Sequence, residues 1–191
     1  MKRTSFLRHA AALATVLITP VVTQAKRMNP FRTDKGFKVD AGKDRNDKST
    51  SLFEGDTFFT KISPSDSNGD LYVFESTRVK KGGPSFHFHY DQDEWWYVLQ
   101  GEFQIKIGEE TYHAKPGDSV FGPRMVPHTF AKISEGEAKL LMIFQPAGKM
   151  EEFFKATSEG VLEKMSEAER NEYRKKHGFE RVGPPLGYLK Q

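Results

Sequence analysis

Two histidines two positions apart, His87 and His89, stand in a stretch that reads as a β-strand, so both imidazoles project from one face. Glu94 follows across the polar link Tyr90-Asp91-Gln92-Asp93, and His128 comes directly after Pro127 at the head of another apolar run. Brought together, three ring nitrogens and one carboxylate make a site for a divalent transition metal. Such a donor set suits Fe, Mn, Ni, Cu, Co or Zn and is a poor choice for Ca or Mg. The same histidine pair on a solvated strand face binds nothing, so spacing alone leaves both readings open. The sequence has no Cys, which excludes thiol catalysis, disulfide scaffolds, zinc ribbons and iron–sulfur clusters.

These residues must be held by strands. From Leu52 to about Pro146 short apolar runs alternate with turn signals, as in an all-β sandwich or barrel. Strands are expected at Thr57–Ser63, Leu71–Val79, Ser85–Tyr90, Trp95–Gln100, Glu102–Ile107, Thr111–Lys115, Ser119–Phe121, Thr129–Ile133 and Ala138–Phe144. Asn68-Gly69, Gly101, Gly108-Glu109-Glu110 and Pro116-Gly117-Asp118 supply the turns. Phe103, Ile105 and Ile107 alternate with Glu102, Gln104 and Lys106, so one face of that strand is buried. By the same parity Trp96 and Val98 face the side of Glu94 and are candidate walls of a ligand site, although Trp96 also suits plain core. His113 lies on a polar hairpin and reads as surface; His177 ends a helix, where a donor suits the carbonyl end.

The flanks differ from the barrel. Lys2, Arg3 and Arg8, the apolar run Ala10 to Val22 and the small residues of Thr23-Gln24-Ala25 form the layout of a cleaved secretory signal peptide. The run is short for a membrane span. The 191-residue chain has a formal charge of +3, but loss of residues 1–25 leaves 26 basic against 26 acidic residues. The basic balance therefore carries no argument for binding nucleic acid, and no stable membrane anchor is expected once the leader is gone. Residues 26–50 read as an irregular polar arm with Phe31, Phe37 and Val39 as docking points, and residues 51–148 as the barrel. Residues 149–191 read as a C-terminal helical tail, with helices at Met150 to Ala156 and Ser166 to His177. Ser166 and Glu169 form a capping box there, and Gly178 is the stop.

The motifs resemble those of the cupin superfamily. Gly82-Gly83-Pro84-Ser85-Phe86-His87-Phe88-His89, then Glu94, then Gly101 is similar to its first motif, with one residue fewer than usual between Gly82 and His87. Gly117-Asp118, Pro123 and Pro127-His128 are similar to the second, with Met125 where Gly is usual and Lys132 where Asn is frequent. Phe37 to Gly42, Glu94 to Gly101, Pro146-Ala147-Gly148, Phe153-Phe154 and Gly183-Pro184-Pro185-Leu186 resemble the single-domain, quercetin-dioxygenase-like branch.

The resemblance implies a double-stranded β-helix, or jelly-roll barrel, with a short C-terminal helical extension. It implies one divalent metal held by His87, His89, Glu94 and His128, with Glu94 also the base that takes a substrate proton. The implied activity is oxygenation of a small enol or phenolic compound. Two other classes stand beside it: a non-catalytic cupin that binds a small ligand or carbohydrate, and an isomerase or lyase using the metal as a Lewis acid. The expected setting is periplasmic or secreted. The expected partners are a small-molecule ligand and a second copy of the chain, paired through an outer face that Phe86 and Phe88 leave apolar, with no nucleic acid.

Overall fold

The computed structural model describes residues 33, 35–52 and 56–186; the expected signal peptide and Phe31 lie outside them. The chain forms β1 (Thr50–Leu52), β2 (Asp56–Ile62), β3 (Tyr72–Arg78), β4 (His87–His89), β5 (Asp93–Gln100) and β6 (Phe103–Ile107). It continues through β7 (Glu110–Ala114), β8 (Ser119–Gly122), β9 (His128–Lys132), β10 (Ala138–Gln145), α1 (Met150–Ser158), α2 (Glu167–Lys176) and β11 (Phe179–Arg181). All described pairings are antiparallel. One sheet runs β1-β2-β3-β10-β5-β8 and the other β11-β4-β9-β6-β7, which together make the expected two-sheet jelly roll with a short helical C-terminal part.

Alternation along the strands builds the core between the sheets. In β5, Glu94, Trp96 and Val98 are buried while Trp95 and Tyr97 are half-buried, and β10 repeats the pattern with Ala138, Leu140, Met142 and Phe144 inside. Strand β9 is buried at every position because β4 and β6 flank it, whereas the edge strand β7 is exposed at four of its five residues. An aromatic cluster fills the end nearest α1. Phe58 and Phe74 lie 4.5 Å apart between centroids, and Phe154 stands edge-on to Phe58 at 5.0 Å. Edge-to-face and offset contacts of this kind add about 0.5–1.5 kcal/mol each beyond the area they bury.

The strands fall where the periodicity puts them, within two residues at each end; β4 is the shortest relative to expectation. The capping box of α2 forms as well: Ser166 Oγ accepts from the Glu169 N–H, and the Glu169 carboxylate accepts from the Ser166 N–H at 2.8 Å. Two short strands escape the sequence pattern. β1 pairs with β2, and β11 pairs with β4, setting Phe179 opposite His89 and Arg181 opposite His87. The tail is therefore not helical alone: after α2 it returns as the edge strand beside the histidines. Three residues cannot display a period, and β11 exists because β4 offers it a free edge. Gly83 marks a close approach beside β4, since a Cβ there would stand 1.7 Å from the Phe130 carbonyl oxygen. Among the described residues no helix is long and apolar enough to cross a membrane.

Candidate metal centre

The four candidate ligands arrive from both sheets. His87 and His89 share one face of β4, and His128 begins β9 directly opposite His87 in the register. Glu94 reaches across from β5 in the other sheet. One donor atom from each of the four lies within 4.8 Å of all the others. Glu94 Oε2 is 3.1 Å from His128 Nε2 and 3.4 Å from His89 Nε2. Glu94, His89 and His128 are at most 2% exposed, so this is an interior constellation and not a solvated strand face.

Backbone carbonyls set the ring tautomers. His87 Nδ1 lies 2.7 Å from the Ser85 carbonyl and His128 Nδ1 lies 2.9 Å from the Val126 carbonyl. A carbonyl only accepts, so in both rings Nδ1 carries the hydrogen and Nε2 turns toward Glu94 and its neighbours. Neither nitrogen of the fully buried His89 has a hydrogen-bond partner. A buried polar atom left unpaired costs about 1–3 kcal/mol, so its presence here calls for an explanation. A ligated metal ion supplies one. The donor chemistry, the fixed tautomers and the orphaned ring all fit a divalent transition metal held by His87, His89, Glu94 and His128.

Charge in the site follows from burial. Burial drives the His87 pKa down to about 3, helped by the neighbouring His128 and His89, so its ring is neutral at physiological pH. Burial lowers His89 as well, against the pull of Glu94. Burial opposes the charge on Glu94, but the polar contacts of the adjoining His128 and His89 rings outweigh it and hold the carboxyl at about 2. The result is an anionic carboxylate among imidazole nitrogens whose lone pairs are available for coordination.

Packing locks this geometry. Phe144 and Phe179 lie edge-on or tilted against His89 with centroids at 5.2 and 5.5 Å, and Trp96 stands 5.3 Å behind His128. The turn leading to His128 is tied to β5 by Arg124, which forks onto the Asp93 carboxylate through Nε and Nη2 at 3.0 and 2.6 Å. Its Met125 takes a left-handed φ of +63° and donates its N–H to the His89 carbonyl at 2.8 Å. A glycine would take that backbone without strain, so the departure noted in the second motif has a local cost.

His87 and Glu94 open onto a cavity of about 510 Å³. Its apolar wall includes Phe58, Phe130, Phe144, Phe153, Phe154 and Phe179. Trp96 and Val98, expected as walls of a ligand site, are not on it. They are 0 and 1% exposed and belong to the core. Parity correctly put them on the inner face, but Trp96 fills the space beside His128 and Gly122. Phe179 takes the wall position instead, from a tail strand that the sequence pattern does not announce. The Ser85 and Val126 carbonyls are equally silent, because every residue carries such an acceptor. His113 is a surface residue paired with Glu102 at 2.8 Å, and His177 ends α2 with Nδ1 donating to the Tyr173 carbonyl at 2.7 Å. Phe86 and Phe88 are half-buried, Phe86 lying under the Lys106 ammonium at 5.3 Å from its ring.

Residues 75–144 match the family model described as the cupin domain. An uncharacterized protein of Methanocaldococcus jannaschii is 30% identical over 60 residues, 31% of this chain and 48% of that protein. One from Streptomyces coelicolor is 38% identical over 55 residues, 29% of this chain and 51% of that protein. The chain thus spans about half the length of the curated relatives it matches. Among solved structures, KdgF from Halomonas sp. is similar at 20% identity with a TM-score of 0.47, over 52% of this chain and 86% of that one.

Proposed function

We propose that this cupin-domain chain is an exported metal-dependent oxygenase of the quercetin-dioxygenase-like kind, acting on a small enol or phenolic compound. One observation carries the reading: a buried three-histidine, one-carboxylate cluster opens onto an aromatic cavity of a size suited to a drug-sized ligand. A divalent metal held by His87, His89, Glu94 and His128 would supply the acidity a bound hydroxyl needs and the redox chemistry toward dioxygen. The chain's own part is positional. Ser85 and Val126 hold the His87 and His128 rings by their Nδ1 hydrogens. Glu94 Oε2 faces the histidines, which leaves Oε1 to accept the proton of an enol or phenol in the cavity. Phe130, Phe144 and Phe179 give a flat ring an apolar seat and keep bulk water from the reacting oxygen.

Element analysis of the mature protein, purified from its exported compartment without an affinity metal, tests this first. About one equivalent of Fe, Mn, Ni, Cu or Co per chain, lost in His89→Ala, followed by enol-dependent oxygen uptake, is the expected result. Zinc alone with ligand turnover and no oxygen uptake supports the isomerase or lyase reading instead. No metal, and none taken up on titration, refutes the enzyme and leaves a binding barrel. Export and a homodimer belong to the same proposal. The first rests on Lys2, Arg3, Arg8 and the apolar run to Val22. An intact-mass measurement beginning at Lys26 and a sedimentation mass of two chains are the expected outcomes.

A further inference from the structure

The wall of the cavity is apolar in its body yet strongly cationic elsewhere. Among the described residues Arg78, Lys80, Lys81, Arg174 and Arg181 all line it, while Asp56 is the one acidic lining residue besides the candidate ligand Glu94. An enol or phenol with no other polar group has no use for five cations. Low-dielectric walls concentrate the field of such groups on whatever enters. The five come from separate parts of the chain: Arg78 ends β3, Lys80 and Lys81 lie in the loop before β4, Arg174 is on α2 and Arg181 on β11. Folding alone brings them to one cavity.

Their existing contacts show what they recognise. Arg174 Nη1 and Arg181 Nη1 share a single carboxylate oxygen of Glu167, at 3.2 and 3.4 Å. Two guanidinium groups of the cavity wall thus converge on one carboxylate oxygen, that of the half-exposed Glu167, which does not itself line the cavity, and guanidinium is the group best matched to a planar anion. Lys81 pairs with Glu135, which is 90% exposed on its side chain and holds the ammonium only weakly. Arg78 pairs with Asp56 at 2.8 Å and lies over the Phe130 ring, its guanidinium carbon 5.2 Å from the centroid. That placement joins the cationic wall to the aromatic one.

We infer that the ligand of this cavity is an amphipathic carboxylate: a flat apolar body lying among the phenylalanines, with its anionic end against the cationic lining to which Arg174, Arg181 and Lys81 contribute. The inference rests on the oxygenase reading for what happens at the other end of the molecule, and names the substrate class as an enolic or phenolic acid. Binding itself requires only the cavity, so the two readings can fail separately.

The test uses trans-cinnamate and its neutral isostere cinnamamide, neither of which carries an enol or phenol to chelate a metal. Calorimetric titration of the full mature protein, metal-free in EDTA and again after metal loading, reads the cavity alone. Cinnamate is expected to bind about tenfold more tightly than the amide, with the advantage shrinking as salt rises. Arg181→Gln with Lys81→Gln, at unchanged circular dichroism and melting temperature, is expected to reduce the preference to below about threefold. Equal affinities, a preference unmoved in the double variant, or no binding of cinnamate at millimolar concentration overturns the inference. Should the variant misfold, the comparison of acid, amide and salt in the unaltered protein decides alone. Acid selectivity without metal uptake or oxygen consumption sinks the oxygenase and keeps the carboxylate site; metal and oxygen consumption without selectivity does the reverse.

Discussion

Glu94→Gln separates the metal from the fold. The amide keeps the volume of the side chain and a polar contact to His128 Nε2, 3.1 Å away, but it removes the negative charge. Two unit charges 4 Å apart attract by about 4 kcal/mol at an effective dielectric near 20, so a divalent ion gains about 8 kcal/mol gross from this carboxylate. Water entering the vacated position returns more than half of that. The expected loss is about 10²–10³ in metal affinity, or roughly 3–4 kcal/mol. At a metal concentration 1,000 times the dissociation constant, the unaltered chain gains about 4.1 kcal/mol. For a domain of this length that raises the melting temperature by about 8–16 °C. The variant at the same concentration gains only about 0.4–1.4 kcal/mol, or roughly 1–6 °C. The metal-free variant should melt a few degrees lower, since the depressed Glu94 carboxyl marks a fold that favours the charged group over a neutral one of the same shape. Differential scanning fluorimetry with Fe, Mn, Co, Ni, Cu and Zn salts reads both numbers. An equal shift in the two proteins, or none in the unaltered chain with any of the six, refutes the assignment of Glu94 and its neighbours as a metal site.

Two further predictions concern the frame around that site. Met125→Gly relieves a left-handed residue at φ +63° that is 57% exposed, so little packing is lost. Relief of about 1–2 kcal/mol against a glycine entropy cost of about 0.5–1 kcal/mol predicts a net gain of roughly 0.5–1 kcal/mol in urea denaturation; a loss would contradict it. Burial pushes Asp56 up from 3.8 to about 6, against the lowering effect of Arg78. The folded chain therefore holds this proton more tightly than the unfolded one, and the contribution to stability is complete below about pH 4 and lost as pH rises through about 6. Denaturant titrations at intervals from pH 4 to 7 should show the unaltered chain losing stability relative to Asp56→Asn across that window and running parallel above it. A constant difference contradicts the assignment.

The cluster that could hold a metal was legible in the sequence because coordination chemistry admits few residue types. His87, His89, Glu94 and His128 stand out by type and spacing, and they fall in stretches that resemble the two cupin motifs. The nine expected strands were legible for a related reason: a half-buried strand writes its two faces into the chain as alternation, and Gly and Pro mark where it must turn. Parity also placed Trp96 and Val98 on the inner face. It says nothing of what lies opposite, so whether such a side chain meets solvent, ligand or another side chain is settled only when the second sheet closes over it.

The remaining features depend on partners distant in the chain. Glu94 approaches the histidines from the facing sheet, and β11 is stable because β4 leaves an edge that its own three residues could not have signalled. The acceptors that fix the His87 and His128 rings are backbone carbonyls, identical in every residue and distinguished by position alone. Arg78, Lys81, Arg174 and Arg181 are scattered along the sequence; only the fold brings them to one aromatic cavity. The sequence by itself determined which atoms could bind a metal and which faces would be buried, since both follow from residue type and local period. The tertiary structure alone decided what surrounds those atoms, because non-local contact is written in no window of the chain.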